Sequence, residues 1–276
     1  MTCAPIASLQ NPRVKEVVKL RQRSHRDAQA LFIVEGYREL RRALDNHRRP
    51  KALFICEALF LGKNEPELIA QCRQAGAEIV PCTAPVFEKM AYRERPEGLL
   101  AILPQVHQAL ADLKLPEQPL IIVAEAIEKP GNLGTILRSA DAAGASAVII
   151  CDQCTDIHNP NVVRASTGAL FSMPVAEAAA AETLTWLQRN HIRIMAASPH
   201  AKKNYTDVDL RAGIAIIVGA EQYGLSSLWM QAADLQVRIP MHGQADSLNV
   251  ATATTILMFE AVRQRQKAAQ QPTTGN

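Results

Sequence analysis

The sequence has no hydrophobic run long enough to cross a membrane, since none approaches the roughly 18–20 apolar residues that a bilayer requires. The first residues, MTCAPIASLQNPRVKE, contain no continuous apolar segment and no export signal. We therefore expect no membrane segment and a cytoplasmic location. Intrinsic disorder is excluded too, because 48% of the 276 residues are apolar, enough for two domains with real cores.

Three common active-site motifs are also missing. No G-x-x-x-x-G-K-[ST] segment occurs, which argues against a P-loop, and no G-x-S-x-G segment occurs, which argues against a hydrolase nucleophile elbow. The segment KPGNLGTILRSADAAG (129–144) follows an apolar run, but its glycines lack the G-x-G-x-x-G spacing of a dinucleotide site. Asp152 lies near the position of the acidic residue of that site, which is only half of the fingerprint. A nicotinamide-linked dehydrogenase is therefore a less favoured alternative.

The six cysteines form no recognisable disulfide framework. Cys151 and Cys154, with His158 four residues further on, resemble the start of a metal or redox site. No second ligand pair of this kind follows in the sequence. We therefore predict no metal site and two ordinary thiols at a strand end.

Charge is distributed unevenly along the chain. Residues 1–51 contain twelve Lys and Arg against five Asp and Glu, a net charge of +7, so the remainder carries −4 of the total of +3. Such asymmetry favours contact between one end of the molecule and a polyanion. The alternative is a solvated basic helix without a partner.

Hydrophobic periodicity divides the chain into two α/β domains. Residues 1–105 alternate short helices and strands, beginning with the basic helix NPRVKEVVKLRQR, which Asn11 is suited to cap. Residues 106–118 lie in a proline-containing segment without a strong period and are interpreted as a linker. Residues 119–268 alternate apolar strands and helices, which predicts a mainly parallel sheet with helices on both faces. Residues 269–276 are predicted to form a disordered tail.

The second domain contains five predicted strands and five predicted helices. The strands are LIIVAEA, SAVIIC, IRIMAAS, GIAIIVGA and LQVRIPM. The helices include NLGTILRSADAAG, NPNVVRASTGAL and a long last helix, SLNVATATTILMFEAVRQRQ. The loops at the carboxyl ends of such strands are where parallel sheets bind ligands.

Three of these loops carry candidate site residues. In the first, Asn132 is suited to cap the helix, and Arg138 lies at the edge of its buried stripe. In the second, IVGAEQYGLS, Gly219 permits a close approach of backbone, and Glu221 can orient a polar group or pair with a cation. In the third, Ser247 is predicted to cap the last helix. The alternatives are a surface arginine, an ordinary turn and an ordinary capped helix.

Taken together, the three loops resemble the SpoU/TrmH group of RNA ribose methyltransferases within the SPOUT superfamily. The shared motifs are N-x-G-x-x-x-R at Asn132, Gly134 and Arg138, G-x-E-x-x-G at Gly219, Glu221 and Gly224, IPM at 239–241, and SLNV at 247–250. The resemblance covers about residues 120–265. The segments NPRVKEVVKL and FIVEGYREL resemble the opening of a substrate-binding domain of this group. One departure is GAEQYG, where many relatives have a compact Gly-Pro-Glu-Gly run.

The resemblance implies a trefoil-knotted second domain that holds S-adenosylmethionine bent in a cleft. It places the adenosine against the backbone of Gly219, Ile239 and Leu248, with Met241 packing nearby. It also implies a homodimer that pairs through the knotted domains.

The resemblance further implies that Arg138 is the catalytic arginine. Because guanidinium is a poor general base, we expect it to fix a phosphate and to stabilise negative charge on the ribose oxygen. Asn132 and Glu221 are expected to orient Arg138 or the ribose, while Ser247 and Asn249 shape the site from below.

The expected substrate is RNA, and ribosomal RNA is favoured by analogy with the substrate-binding domain. Aromatic residues make up only 4% of the chain, so structured RNA recognised by its shape is favoured over a base-stacking platform. The alternatives are a tRNA methyltransferase of the same superfamily and a non-catalytic RNA-binding factor in ribosome assembly.

Overall fold

The computed structural model describes residues 4–270. Up to residue 106 its elements are α1 (Pro12–Lys19), α2 (Arg23–Gln29), β1 (Leu31–Glu35), α3 (Tyr37–Asp45), β2 (Ala52–Ile55), α4 (Glu65–Gln74), β3 (Glu78–Pro81), α5 (Ala84–Met90) and β4 (Leu99–Pro104). The elements that follow are β5 (Leu120–Glu125), α6 (Pro130–Ala142), β6 (Ala147–Cys151), α7 (Pro160–Ala165), α8 (Ala169–Ser172), β7 (Val175–Ala178), α9 (Ala180–Arg189), β8 (Arg193–Ala197), β9 (Lys203–Asn204), β10 (Ile214–Val218), α10 (Ser227–Ala232), β11 (Leu235–Arg238) and α11 (Val250–Gln270). Short 3₁₀ helices lie at Glu57–Leu59, Leu110–Asp112 and Tyr205–Asp207.

The chain divides into two compact units. The first contains the residues up to Val106 together with Asp156–Ser172, and the second contains His107–Thr155 and the residues from Met173 onward. No helix within residues 4–270 has both the length and the apolar composition needed to cross a membrane.

The first unit is built on a four-stranded mixed sheet with the order β1-β4-β2-β3. Strand β4 is antiparallel to β1 and β2, whereas β2 and β3 are parallel. One face of this sheet packs against α1 and α5, where Val14, Phe87 and Met90 are fully buried. Asn11 caps α1 as predicted, because its side-chain oxygen accepts a hydrogen bond from the Arg13 N–H at 2.9 Å.

The basic N-terminal helix is shorter than predicted, and the additional helix α2 follows it. Arg26 of α2 is only 1% exposed and forms an ion pair with Asp156, with 2.7 Å between Nη2 and Oδ2. Its other terminal nitrogen donates hydrogen bonds to the carbonyl oxygens of Leu20 and Arg21, at 2.9 and 2.8 Å. One of the twelve cations of the basic segment is therefore an internal structural group rather than part of a charged surface.

The second unit is built on a seven-stranded sheet with the order β7-β6-β5-β10-β8-β11-β9, in which every neighbouring pair is parallel. The prediction of a parallel sheet flanked by helices, with a small N-terminal α/β domain, is confirmed. Two strands were not predicted, β7 and β9, and both are edge strands. Neither contains the long apolar run that marks the central strands, because an edge strand is less buried.

Both faces of the central strands are covered, since every residue of β5, β6 and β10 is buried. On one face, Ile121, Val123 and Ile217 pack with Leu187 of α9 and the fully buried Trp229 of α10. Helices α6 and α11 pack against each other, and α11 also packs against β10. This packing brings the starts of α6 and α11 to the edge of the sheet where β5 and β10 end.

The observed division of the chain differs from the predicted one in two places. Part of the expected linker belongs to the core of the second unit, because Leu110 and Leu113 pack with its sheet residues. The segment Asp156–Ser172 belongs to the first unit, where α7 packs against β1 and α8 against α3.

Two helix predictions also require correction. The helix predicted over NPNVVRASTGAL is interrupted after α7, because Thr167 and Gly168 adopt positive φ values of 50° and 87°. The last helix continues to Gln270, so the first two residues of the predicted tail, Ala269 and Gln270, are helical. The rest of that tail, residues 271–276, lies outside the described residues.

Candidate active site

The three motif loops meet in a cluster of hydrogen-bonded side chains. Nδ2 of Asn132, on α6, donates a hydrogen bond to Glu221 Oε1 at 2.7 Å. Nδ2 of Asn249, immediately before α11, lies 2.9 Å from the same Glu221 oxygen and 3.1 Å from Asn132 Oδ1. The structure therefore brings together one residue from each of the three predicted loops. We call Asn132, Glu221 and Asn249 the polar triad.

Two of the site residues predicted from the sequence, Asn132 and Ser247, do not cap helices as expected. Asn132 does not cap α6, since that helix begins at Pro130 and Asn132 lies within its first turn. Ser247 does not cap α11, because Asn249 fills that position: its Oδ1 accepts the N–H groups of Ala251 and Thr252 at 3.0 and 3.4 Å. The capping residue is two positions later than predicted, because α11 begins at Val250.

The loop that carries Glu221 is held by close backbone contact. Gly224 donates its N–H to the carbonyl oxygen of Ala220 at 2.9 Å, and its φ of +68° favours glycine. A Cβ on Gly219 would lie 2.3 Å from the Gly224 oxygen, so only glycine fits there without a shift of the backbone. Tyr223 is 78% exposed at the tip of this loop.

Lys129 adds a positive charge to the polar triad. Its ammonium group pairs with the second carboxylate oxygen of Glu221. The hydrogen bond from Lys129 is the main cause that lowers the pKa of Glu221, and the Asn132 side chain and the Val250 N–H act in the same direction. In turn, the hydrogen bond to Glu221 raises the pKa of Lys129. Glu221 is therefore held as a carboxylate at neutral pH.

Two residues of this site were not predicted from the sequence. Lys129 precedes α6, and its contact with Glu221 joins positions 92 residues apart, a pairing that local pattern does not encode. Glu125, at the end of β5, is buried and accepts the Ser226 N–H at 2.8 Å, which ties the end of β5 to the segment after β10. The available signal was an acidic residue that ends an otherwise apolar strand, LIIVAE.

Arg138 lies apart from the polar triad. It is six residues beyond Asn132, or about 9 Å further along the helix axis. Its side chain is exposed and forms no hydrogen bond or ion pair with another residue in the described range. Neither Asn132 nor Glu221 is hydrogen-bonded to it, and their predicted role of orienting Arg138 or the ribose stays a prediction. The adjacent Ser139 hydroxyl accepts a 2.8 Å hydrogen bond from Thr255, which fixes this turn of α6 against α11.

The predicted cofactor residues of the third loop lie between β11 and α11. The side chains of Ile239, Met241 and Leu248 are half-buried, and the backbone N–H groups of these residues bond to no other residue between 4 and 270. Half-buried apolar side chains with free backbone donors and acceptors suit the face and edge of a planar heterocycle. Ser247 is exposed and is not hydrogen-bonded to the polar triad.

The cysteines near the site do not form a reactive pair. Burial raises the pKa of the Cys151 thiol to about 12, and its sulfur donates to the Thr183 hydroxyl at 3.2 Å. Cys154 is exposed. Within the part of the chain that the structure describes, no group of three or more His, Cys, Asp and Glu side chains is arranged to hold a metal ion.

Both parts of the chain match known protein families. The model of the SpoU rRNA methylase family matches residues 119–259, and the model of the MRM3-like substrate binding domain matches residues 11–101. A 23S rRNA (uridine(2479)-2'-O)-methyltransferase of Streptomyces viridochromogenes is 31% identical over 252 residues, which cover 89% of this chain and 87% of that protein.

Solved structures agree with these sequence matches. A crystal structure described as an RNA 2'-O ribose methyltransferase is 40% identical with a TM-score of 0.86, and the match covers 95% of this chain and all of that one. An AdoMet-bound rRNA methyltransferase from Sinorhizobium meliloti is 32% identical with a TM-score of 0.86, and the match covers 94% of this chain and 97% of that one.

Proposed function

This chain belongs to the SpoU rRNA methylase family, and we propose on that premise that it transfers a methyl group from S-adenosylmethionine to a ribose 2′-hydroxyl of ribosomal RNA. The observation that carries the proposal is the polar triad, which joins the three family motifs at one edge of the parallel sheet. Several curated relatives are named 23S rRNA 2′-O-methyltransferases, which favours ribosomal RNA over tRNA.

The segment from β10 to α11 fits the cofactor. S-adenosylmethionine supplies a methyl group already activated on a sulfonium. Backbone groups of Ile239 and Leu248 are free to bond the edge of the adenine, and Met241 is placed to pack against its face. Gly219 keeps the backbone close to Gly224, so that no side chain occupies the space at the end of β10.

The polar triad is suited to hold the ribose in place. Glu221 stays ionised because Lys129 and Asn132 donate to it, so it can accept a hydrogen bond from a sugar hydroxyl. Asn249 joins Glu221 to Asn132, which fixes all three side chains before the RNA binds. Such preorganisation matters because a displacement of about 1 Å costs on the order of 100-fold in rate. Ser247 would line the site beside Asn249.

Arg138 is proposed as the catalytic residue that contacts RNA. Its exposed guanidinium has no protein partner in the described range, so its donors are available for a phosphate. Beside the reacting ribose it would stabilise negative charge that develops on the 2′-oxygen as the O–C bond forms and the C–S bond breaks. The hydroxyl proton would leave to solvent, since guanidinium is a poor base.

The first unit would bind the RNA substrate. Its sequence matches a substrate binding domain, and the exposed Arg38, Arg49 and Lys51 form no ion pair with another described residue. Such cations bind phosphates and release counterions, so RNA affinity should fall with added salt.

Three further features belong to the same proposal. The strand order supports a trefoil knot. Strand β10 is inserted between β5 and β8, and after β11 the last helix, α11, packs against α6. A homodimer through the second unit would let each site take residues from both chains, and sedimentation at increasing concentration would test it. A ribosomal RNA substrate is consistent with a cytoplasmic location.

Replacing Arg138 with alanine tests the proposed chemistry. We expect unchanged S-adenosylmethionine binding by calorimetry and a loss of roughly 10²–10³-fold in methyl transfer to ribosomal RNA, as when one transition-state donor is removed. Arg189→Ala on α9 is the matched control, since Arg189 is an exposed arginine of the same unit. Methyl transfer near the parent rate in Arg138→Ala would exclude the role assigned to Arg138.

A further inference from the structure

The first unit contains a cleft that the proposed reaction does not use. It lies where β1 ends, between the loop at Tyr92 and Arg93 and helix α7, and has a volume of about 250 Å³ counted with its opening. Much of that volume is open solvent, so the space inside the cleft is far smaller than the roughly 300–1,000 Å³ of pockets that enclose a small molecule. The cleft is therefore suited to one edge of a planar group rather than to a whole ligand.

A buried carboxylate oxygen in this cleft has no partner. Glu35 is only 8% exposed, and its Oε2 accepts the N–H groups of Tyr92 and Arg93 at 2.8 and 3.2 Å. Its Oε1 is buried and has no hydrogen-bond partner among residues 4–270. Buried carboxylate oxygens almost always have a donor, so this oxygen is left for a water molecule or for a ligand that donates a hydrogen bond.

The other side chains of the cleft limit what that group can be. Tyr92 is 38% exposed, and its hydroxyl accepts a 2.9 Å hydrogen bond from Asn161, which fixes the ring beside the opening. Arg164 lines the cleft, is exposed and forms no ion pair with any residue in the described part of the chain. Arg93 is already paired with Glu39 at 2.8 Å and with Glu97. An acceptor, an aromatic face and one free cation therefore line the same opening.

We propose that this cleft binds the edge of an unpaired nucleobase of the RNA substrate, with Glu35 Oε1 accepting a hydrogen bond from the amino group of the base. The Tyr92 ring would contact the face of the base, and Arg164 would contact a neighbouring phosphate. On the Watson–Crick edge, adenine, cytosine and guanine carry an exocyclic amino group, whereas the single N–H donor of uracil lies between two carbonyl oxygens that repel a carboxylate oxygen. The site thus selects against uracil. This inference rests on the proposed function only in that the ligand is RNA.

Glu35→Gln tests the site while keeping the shape of the side chain. The amide oxygen can still accept the Tyr92 and Arg93 N–H groups, so the NH₂ group must take the place of Oε1. An acceptor in the cleft becomes a donor, and the preference for bases should reverse. The probes are fluorescein-labelled ten-nucleotide oligo(A), oligo(C) and oligo(U), with affinities measured by anisotropy on the full chain.

We expect Glu35→Gln to weaken oligo(A) and oligo(C) binding about 10-fold and to leave oligo(U) binding equal or tighter. The control is Glu78→Gln, which removes the same charge from an exposed position of the same unit and should change the three affinities equally. Equal affinities of the parent and Glu35→Gln for all three oligonucleotides would mean that Oε1 holds only a water molecule, and would overturn the proposal.

A second variant covers the case in which Glu35→Gln fails to fold. Arg164→Ala changes an exposed side chain, and it should reduce the dependence of log affinity on log salt for oligo(A) by about one charge. An unchanged salt dependence would count against the site. Methyl transfer by the parent chain is measured in parallel. If the parent transfers no methyl group, the proposed function is wrong, whereas the oligonucleotide affinities still test whether the cleft binds a base.

Discussion

Replacing Gly219 with alanine tests whether the loop after β10 must lie against Gly224. The added Cβ would meet the Gly224 oxygen at 2.3 Å, whereas ordinary contact begins near 3.4 Å, so the backbone must move by about 1 Å. The same loop carries Glu221, whose carboxylate joins Asn132 and Asn249. A displacement of this size should therefore reach all three members of the polar triad.

The expected losses follow from that displacement. Overpacking at a tight position costs about 1–3 kcal/mol of unfolding free energy, and a misplacement of about 1 Å costs on the order of 100-fold in rate. Urea denaturation would measure the first, and transfer of a labelled methyl group to ribosomal RNA at saturating cofactor would measure the second. Because the cleft beside Glu35 is in the first unit, its oligonucleotide preference should not change.

Gly131→Ala is the matched control for this substitution. Gly131 lies in the first turn of α6, and a Cβ there would meet no atom within 4 Å. Alanine should stabilise the helix by up to about 1 kcal/mol, and methyl transfer should stay close to that of the parent. If Gly219→Ala kept both the parent stability and the parent rate, the tight contact would not be what positions Glu221.

Two further variants test electrostatic contacts within single units. Lys129→Met should raise the pKa of Glu221, because the hydrogen bond from Lys129 is the main cause that lowers it. Carboxyl NMR would follow the titration, and an unchanged Glu221 pKa would contradict the assigned contact. Since that pKa is lowered on folding, Glu221 stabilises the fold above its ordinary value of 4.5, and this contribution is lost as the pH falls through the folded value. Asp156→Ala should reduce the unfolding free energy by about 3–5 kcal/mol, because it leaves the Arg26 charge buried and unpaired; a loss below about 1 kcal/mol in urea denaturation would contradict this.

The sequence predicted the central part of the sheet and missed its margins. Strands β5, β6 and β10 are apolar on both faces, which is the pattern that a covered parallel sheet requires. The edge strands β7 and β9 are short and only partly buried, so their residues resemble those of loops. The segment Asp156–Ser172 was expected in the second domain but groups by its contacts with the first unit, because its partners in α3 and β1 lie more than 100 residues earlier.

The site was predictable to the extent that motifs mark loops. Asn132, Glu221 and Asn249 were each expected near the reacting groups, and the structure places them in hydrogen-bonding contact. The sequence did not reveal which side chain each would contact, so Asn132 was expected to cap a helix and instead bonds Glu221. The contact of Lys129 with Glu221 depends on the whole fold.

The most direct test of the central claim is transfer of the labelled methyl group of S-adenosylmethionine to purified 23S ribosomal RNA by the parent chain, followed by nuclease digestion and identification of the modified nucleoside. The account predicts a single 2′-O-methylated nucleoside, with the label lost in Arg138→Ala and retained in Arg189→Ala. Label found on a base, or no label in ribosomal RNA while tRNA is labelled, would contradict it.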